Sequence, residues 1–576
     1  MPAPVLRRAH PALRAPFNIW DLVALALIVG VLLAITHGAR DTFAPLKSLA
    51  AHPISLDPRR LPEYALRTSL RMIAGMVASL VFTFGYAALA AKSRHAEMVL
   101  IPLLDILQSV PVLAFLSITL VWLMNLAPGS VLGAEFASIF TVFTAQAWNM
   151  TFSFYQSLKT VPRDLDEAAR AFGLTPWQKF WRLEAPYGAP ALIWNMMMSM
   201  AGGWFFVTAS EALTVGATNI NLPGVGAYIA AANDKQDYGA IGWAILTMAI
   251  TILIFDQLLF RPLVAWAEKF HIELTASADP PRSWVLDIVR RTRLMARVGR
   301  PLGEALRATA SLRLDPRLPR APALRGGAQR TFDAVWIALV VVLVVFAAQQ
   351  IFAFVARELT WADLGHAVLL GFFTLIRVVV LIALASLVWT PVGVWIGLRP
   401  KIAERVQPVA QFLAAFPVNL LYGLVVSGII LGHLSPNIFL SPLMILGTQW
   451  YILFNVIAGA SAYPTDLKQA AQSFGVKGWL WWRTVMGPGI LPYFVTGALT
   501  ASGGAWNAAI VSEVVSWGDK HLRAAGLGAY IADASTAGDM PRVILGVAVM
   551  STFVVALNRT VWRPLYALAE RRFRFD

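Results

Sequence analysis

Long apolar runs alternate with short polar segments along the whole chain. A bilayer core about 30 Å thick is crossed by roughly 20 apolar residues in a helix. Twelve windows of about that length or longer lie near residues 19–36, 72–91, 98–126, 131–156, 190–216, 240–260, 334–356, 367–398, 406–432, 437–460, 489–515 and 542–562. The pattern predicts an all-α polytopic membrane protein with about twelve transmembrane helices.

The first window begins like a signal peptide, because three arginines precede it. It continues into His37 and Gly38 without a clear small-residue cleavage pattern. These features favour a retained membrane helix over a cleaved signal peptide.

Composition narrows the class of protein. Of the 576 residues, 58% are hydrophobic and only 14% are charged, which argues against a soluble enzyme. A nucleic-acid partner is excluded because no soluble domain is left to carry a basic stripe. The chain has no cysteine, so disulfides, thiolate nucleophiles and cysteine-ligated metals are ruled out. The eight histidines show no metal-ligand spacing, so we expect no metal site.

The net charge of +15 predicts the orientation in the membrane. With the N-terminus inside, most basic loops face the cytoplasm, as the positive-inside rule requires. These loops carry Lys92, Arg94, the segments 157–189 and 261–333, Arg399, Lys401, Arg405, Arg571, Arg572 and Arg574. We therefore expect a multi-pass membrane protein with both termini in the cytoplasm and membrane lipids around it. The basic segment 37–71 is an exception, because it should face the other side of the membrane. A position along the interface as an amphipathic stretch softens this conflict without removing it.

An internal repeat divides the chain. An offset of 302 residues aligns Trp148 with Trp450, Pro162 with Pro464 and Gly226 with Gly528 without a gap, and upstream the offset becomes 306. The sequence therefore predicts two parallel six-helix halves, 1–275 and 331–576, in the manner of parallel-repeat transporters. Between them, 276–330 is an arginine-rich cytoplasmic linker. It is interpreted as a tether near anionic headgroups or as a regulatory or partner-docking segment.

The loop between spans four and five, residues 157–189, has the pattern of two short helices joined by a glycine. Asp164 is expected to cap the first helix, and Gly173 to end it with a left-handed turn. Thr175 is expected to cap a second helix that has Pro176 at its first position and Pro186 just beyond its end. A basic-face loop with this much local structure predicts a partner-docking site.

This loop resembles the EAA loop of permease subunits of ATP-binding-cassette importers. The matching positions are Glu167, Ala168, Ala169, Gly173 and Pro186 in the first half, and Gln469, Ala470, Ala471, Gly475 and Pro488 in the second. The second half therefore lacks the acidic residue. The chain resembles most the nitrate, sulfonate, taurine and bicarbonate group, in a duplicated form, and the segments 107–116 and 412–421 contribute to that likeness.

The resemblance implies a type I permease fold of two six-helix repeats, in which each EAA loop forms a coupling helix that fits a groove on a cytoplasmic ATPase. It implies two ATPase subunits and an extracytoplasmic substrate-binding protein as partners, and a small anion as the substrate. The chain has no phosphate-binding loop, because none of its lysines follows a glycine,. We therefore expect no cofactor in this chain, and ATP and Mg in the partner ATPase.

Polar residues inside the apolar windows are the candidates for the substrate pathway. They form matched pairs across the repeat: Arg71 and Arg377, Trp204 and Trp506, Ser210 and Ser512, and Glu211 and Glu513. A guanidinium matches an oxyanion, although such an arginine often extends to headgroups instead. The glutamates suit a gate or a packing role between the halves. Asn149, Asn195 and Asn507 are further donors.

The leading hypothesis is thus the fused permease of an ATP-driven importer. An ion-coupled secondary transporter with parallel repeats is the alternative, and it needs titratable residues at mid-membrane, of which Asp105 is the best candidate. A membrane-embedded enzyme lacks a constellation with catalytic spacing.

Overall fold

A computed structural model describes residues 53–215, 218–270, 283–313 and 327–573, with a few isolated positions between 21 and 45. Within these residues, seven helices are long and apolar enough to cross a membrane, and nine if each of two bent helix pairs counts as one span. The all-α polytopic class is confirmed. Most of the first predicted window, and residues 276–282 and 314–326 of the linker, lie outside the described residues.

The described part of the first half, with the linker, contains twelve helices and one hairpin. They are α1 (Leu61–Lys92), α2 (Arg94–Ser109), α3 (Val112–Leu126), α4 (Val131–Lys159), α5 (Arg163–Ala171), α6 (Pro176–Lys179), α7 (Ala185–Glu211), β1 (Ala212–Val215), β2 (Thr218–Asn221), α8 (Val225–Asp234), α9 (Tyr238–Phe255), α10 (Arg261–Ala267), α11 (Trp284–Arg291) and α12 (Arg293–Ser311). Short 3₁₀ turns cover Pro58–Arg60 and Glu268–Phe270.

The described part of the second half repeats this order. Its elements are α13 (Gly327–Val355), α14 (Trp361–Gly397), α15 (Pro400–Ala415), α16 (Tyr422–Leu431), α17 (Pro436–Phe439), α18 (Leu443–Leu446), α19 (Gln449–Ser461), α20 (Thr465–Ser473), α21 (Gly478–Trp481), α22 (Gly487–Ser512), β3 (Val514–Trp517), β4 (Lys520–Arg523), α23 (Leu527–Ala537), α24 (Met540–Leu557) and α25 (Arg563–Phe573). A 3₁₀ turn at Val418–Leu421 precedes α16.

Three windows predicted as single spans are broken. The window 98–126 divides into α2 and α3 at Pro111, which has no N–H to continue the helix,. The window 406–432 bends by 72° between α15 and the turn before α16, and the window 437–460 bends by 43° before α19. Pro417 and the Gly447–Thr448 break stand at these bends. The prediction of continuous helices is wrong at these three places.

Two β-hairpins shorten a further pair of windows. The helices predicted over 190–216 and 489–515 end at Glu211 and Ser512, and an antiparallel hairpin follows each. In the first hairpin Ala212 pairs with Asn221, and in the second Val514 pairs with Arg523. The predicted windows include the first strand of each hairpin because β1 and β3 are themselves apolar.

Four wide π-turns occur in the described helices, and each stands just before a proline. They span Phe180–Glu184, Asp256–Phe260, Trp482–Met486 and Asn558–Trp562. The prolines are Pro186, Pro262, Pro488 and Pro564. A proline clashes with the carbonyl four residues earlier, and that carbonyl lies within the π-turn each time. The extra residue in the turn therefore lets each helix continue through its proline.

The described residues form two compact units. One contains 161–193 and 254–318, which brings the first EAA-like loop together with the linker helices, and the other contains 40–160, 194–253 and 319–576. The larger unit holds an extended apolar core in which Trp506 is 1% exposed. In this unit α1 packs along α4, where the Thr83 and Thr151 hydroxyls lie 3.1 Å apart, and α14 packs on α19 in the same way.

Candidate functional site

The first EAA-like loop forms the predicted helix, glycine turn and second helix. Helix α5 is followed by Gly173 with φ +64°, a left-handed conformation that glycine adopts without steric cost. Thr175 then caps α6, since its hydroxyl accepts from the Gln178 N–H at 3.3 Å and the Gln178 side chain accepts from the Thr175 N–H at 3.1 Å. Glu167 and Ala168 are exposed, and Ala169 is buried.

The second loop has the same backbone path. Helix α20 is followed by Gly475, also with φ +64°, and then by α21. Gln469 is exposed, and Ala471 is buried as Ala169 is. The aromatic residue before each glycine is almost fully exposed, with Phe172 at 83% and Phe474 at 84%. Each loop therefore presents a large apolar side chain outward beside its glycine.

Two details of the predicted loop are wrong. Asp164 does not cap α5, because the helix begins at Arg163 after Pro162 and no side chain caps it. Pro186 does not lie beyond a separate second helix. Helix α6 continues through the π-turn into α7, so Pro176–Glu211 is one helix and Pro186 lies inside it. Pro488 occupies the same position near the start of α22.

Ion pairs join the two helices of the first loop. Lys179 of α6 pairs with Asp166 of α5 and, at 3.3 Å, with Glu184 of the π-turn. Arg170 pairs with Asp166 at 2.6 Å. The hydrogen bond from Lys179, helped by the nearby positive charges, lowers the pKa of Asp166 below its ordinary value. The carboxylate is therefore ionised at neutral pH.

Arg71 lies in a buried three-residue cluster of the first half. Its Nε and Nη2 atoms donate to the two oxygens of Glu135 at 2.6 and 2.7 Å, and Nη1 donates to Glu211 Oε1 at 2.7 Å. Nη1 also donates to the Pro223 carbonyl at 3.0 Å. Arg71 is 3% exposed and Glu211 is fully buried. The bidentate contact with Glu135 and the bond to Glu211 hold the guanidinium between two carboxylates,.

The equivalent cluster of the second half has one carboxylate fewer. Arg377 Nη1 donates to Glu513 Oε1 at 2.9 Å, and Nη2 lies 3.5 Å from Asn437 Oδ1. Asn437 occupies the repeat position of Glu135, and its Oδ1 accepts from the Ala525 N–H at 2.8 Å. The first cluster therefore contains two acidic residues for one arginine, and the second contains one.

Each glutamate of these clusters lies against the start of the helix that follows its hairpin. Glu211 Oε2 accepts from the Gly226 N–H of α8 at 2.7 Å, and Glu513 Oε2 accepts from the Ala529 N–H of α23 at 3.1 Å. Such helix ends favour negative charge. A Cβ on Gly224 would lie 2.3 Å from the Glu211 carboxyl carbon, and one on Gly526 would lie equally close to Glu513. Glycine at these two positions therefore leaves room for the carboxylate beside the start of the helix.

The other pathway candidates lie in packed surroundings. Trp204 and Trp506 are 2% and 1% exposed, and Ser512 is fully buried. The Ser210 hydroxyl lies 2.8 Å from that of Ser138. Asn507 accepts from the Val112 N–H at 2.6 Å. The other two asparagines also have partners: Asn149 accepts from Gln108, and Asn195 donates to Ser153.

A cavity of about 70 Å³ opens between helices of the two halves within the larger unit. Helices α7 and α22 contribute the repeat-equivalent positions Gly202 and Gly504, and Phe206 and Ala508. The other lining residues come mainly from the second half: Ala201, Phe205, Ala414, Phe416, Val418, Tyr422, Leu443, Met444, Gly447, Thr448 and Tyr451. The lining is apolar and aromatic, with three hydroxyl groups and no basic side chain. None of the eight predicted pathway residues lines it, and their role in the pathway stays a prediction.

Sequence reasoning missed several members of the clusters. Glu135 was the acidic residue inside the window 131–156 and was passed over for Asp105, whose side chain lies outside the described residues. Thr68 and Thr374 were detectable as a matched pair at the 306-residue offset. Their hydroxyls donate to Glu211 and Glu513 at 2.7 and 2.9 Å.

The fold and the loops define a class of protein, a polytopic membrane permease with an internal duplication. The family described as "Binding-protein-dependent transport system inner membrane component" matches residues 69–261 and again residues 389–575. The chain belongs to this family, and it is a transport permease component of the ATP-binding-cassette type, not an enzyme. One match lies within each predicted half, so the duplication is confirmed.

Curated relatives of the chain are permeases with different named substrates. The nitrate import permease protein NrtB of Synechocystis sp. is 23% identical over 267 residues, which cover 44% of this chain and 92% of the relative. The bicarbonate transport system permease protein CmpB of Synechococcus elongatus is 28% identical over 200 residues, or 35% and 66%. The glycine betaine/carnitine transport permease protein GbuB of Listeria monocytogenes is 28% identical over 169 residues, and the match spans only 54% of its length.

Proposed function

We propose that this chain supplies both membrane-spanning halves of an ATP-driven importer in one polypeptide. In this proposal it receives a small anion from an extracytoplasmic binding protein and releases it into the cytoplasm. Two cytoplasmic ATPase subunits bind ATP and Mg and supply the energy. Both termini and both EAA-like loops then face the cytoplasm of a bacterial cell, and lipids surround the apolar helices.

The observation that carries the proposal is the pair of loops with one geometry. Helices α5 and α20 each end in a glycine at φ +64° and expose a phenylalanine beside it. Surface loops that a rigid scaffold holds in a defined conformation are frequent sites of binding. Two such helices, one per half, suit two ATPase subunits.

An anionic substrate is supported by the relatives whose names specify nitrate and bicarbonate. In the cavity, hydroxyls of Tyr422, Thr448 and Tyr451 are the polar groups that line it. Neutral donors of this kind bind a small anion weakly enough to release it, whereas the arginines of the two clusters are held by carboxylates. We therefore propose that the cavity, and not Arg71 or Arg377, contacts the travelling substrate.

The decisive experiment is reconstitution with the ATPase that co-purifies with the chain. Proteoliposomes with the binding protein inside or outside are tested for ATP-dependent uptake of nitrate, bicarbonate and glycine betaine. Saturable uptake of an anion that requires ATP supports the proposal. Uptake without ATPase or ATP contradicts the proposal of an ATP-driven importer. Uptake of glycine betaine alone contradicts the proposal of an anionic substrate.

The coupling role of the loop is tested by Gly173→Pro. Proline fixes φ near −65° and cannot adopt the +64° that Gly173 has, so the turn between α5 and α6 is lost. We expect ATP hydrolysis no longer linked to uptake, and Gly475→Pro is the matched variant in the second half. If ATP hydrolysis and uptake remain linked in both variants, the EAA-like loops do not have the proposed coupling role.

A further inference from the structure

We infer that the linker helix α12 supports the first EAA-like loop. This support gives the first loop a higher affinity for its ATPase subunit than the second loop has. The inference rests on the proposed function. It assigns a role to a segment that the permease fold itself does not need.

Two side chains of the loop hold the end of the linker helix. Trp177 Nε1 donates to the Thr309 carbonyl at 2.7 Å, and Gln178 Nε2 donates to the Ser311 carbonyl at 2.8 Å. Both carbonyls belong to the last turn of α12, where carbonyls lack the N–H four residues further on. The Thr309 carbonyl also accepts from the Leu312 N–H at 3.2 Å. The loop therefore caps the linker helix from outside.

Gln178 is aimed at the linker by its own capping box. Its Oε1 accepts from the Thr175 N–H at 3.1 Å, which fixes the amide and leaves Nε2 to reach Ser311. Gln178 is only 7% exposed. The contact is thus part of the folded loop and not a chance approach of two surface chains.

Ion pairs extend this support to the exposed helix. Lys179 follows Gln178 directly and pairs with Asp166 of α5 and with Glu184. The helix that presents Glu167 is therefore connected to α12 through α6. A loop ordered before binding loses less conformational entropy when a partner docks.

Of the side chains that make these contacts, the second loop keeps only the tryptophan. At the positions of Gln178, Lys179 and Glu184 it carries Leu480, Trp481 and Met486, and at the position of Asp166 it carries Lys468. Trp479, the equivalent of Trp177, is 80% exposed, and Leu480 is 56% exposed.

The two coupling helices also differ in their charged residues. Helix α5 contains three acidic and two basic residues, whereas α20 contains one of each. The first loop therefore suits an ATPase surface with excess positive charge, and the second suits a more neutral one. The chain thus offers two unequal sites to its two ATPase positions.

Thiol labelling tests the contact itself, because the chain has no cysteine of its own. In the full chain, Gln178→Cys is expected to react with a maleimide at least tenfold more slowly than Leu480→Cys. Adding Ala305→Pro, which breaks α12 near its end, is expected to speed labelling at position 178 and to leave position 480 unchanged. Equal rates at the two positions, or no response to Ala305→Pro, would overturn the inference.

Binding of the co-purified ATPase tests the functional part. The double variant Trp177→Phe with Gln178→Leu removes both donors and copies Leu480, and we expect about tenfold weaker binding, as for one or two net hydrogen bonds. Trp479→Phe is the matched variant and is expected to cause a clearly smaller loss. Equal losses, or none, contradict the inference. If the unaltered chain binds no ATPase, the proposed function fails instead.

Discussion

Arg71 is held by two carboxylates, and Arg377 is held by one carboxylate and one amide. Removing one partner of a buried ion pair leaves the other charge without compensation, which costs about 3 to 5 kcal/mol. The side chain of Arg71 is 3% exposed and that of Arg377 is 13% exposed. Arg71 should therefore contribute more to the stability of its half.

We expect Arg71→Gln to lower the unfolding temperature of the purified chain more than Arg377→Gln does. The first change strands Glu135 and Glu211, whereas the second strands only Glu513. The measurement is thermal unfolding in detergent. Glu135→Asn copies the second half and should cost less than Arg71→Gln, because the pair with Glu211 remains. A larger decrease in unfolding temperature in Arg377→Gln than in Arg71→Gln would contradict the greater stabilising role of Arg71.

The ion pair of Asp166 predicts how the first loop responds to pH. Its folded pKa lies below the ordinary value of about 3.9, with the hydrogen bond from Lys179 as the first cause. A depressed carboxyl pKa contributes stability above the ordinary value, and this contribution disappears as the pH falls through the folded pKa.

We therefore expect limited proteolysis of the 163–184 segment to be constant between pH 5 and 8 and to accelerate only below about pH 4. Asp166→Asn removes the charge, so the loop should be cleaved faster at neutral pH. An acceleration between pH 5 and 7 in the unaltered chain would show that another group controls the loop.

At the scale of single elements, a π-turn precedes the long helix that follows each EAA-like loop. A π-turn holds one more residue than an α-turn, and one residue corresponds to about 100° around the helix axis. In both halves the wide turn accommodates the proline that follows it, Pro186 or Pro488. Closing the turn would therefore change the helix register between the loop and the residues after it.

Replacing Pro186 by Ala allows the wide turn to close into a regular helix. We expect unchanged or higher thermal stability, because the proline penalty is removed, but less uptake per ATP hydrolysed. Pro190→Ala is the control, since Pro190 lies inside α7 away from the turn. Equal uptake per ATP in Pro186→Ala and the unaltered chain would contradict this role.

The sequence predicted the helix-forming stretches and the Gly173 and Thr175 turn, because these depend on neighbouring residues. It did not predict the break at Pro111, because an apolar run of this length also suits one continuous helix. It did not predict the hairpins after Glu211 and Ser512 either. The pairing of Arg71 with Glu135 joins residues 64 positions apart. A repeat alignment shows which positions correspond, but it does not show which of them touch.

For the whole molecule, the cavity between the halves makes a steric prediction. Ala508 and Phe206 are repeat-equivalent lining residues, so Ala508→Phe places a second ring where the cavity is open. We expect a loss of uptake of at least tenfold with ATPase binding retained. In the double variant Phe206→Ala with Ala508→Phe the total volume is restored, and uptake should partly recover. Unchanged uptake in Ala508→Phe would place the pathway elsewhere.

The replacement of Glu135 by Asn437 has a consequence for how such a protein evolves. In an assembly of two identical chains, every mutation appears on both sides of the axis, so a change that helps one side must be tolerated by the other. Fusion into a single gene removes that constraint, and each half can be selected separately. Unequal arginine clusters depend on that freedom, because two identical chains would carry identical clusters.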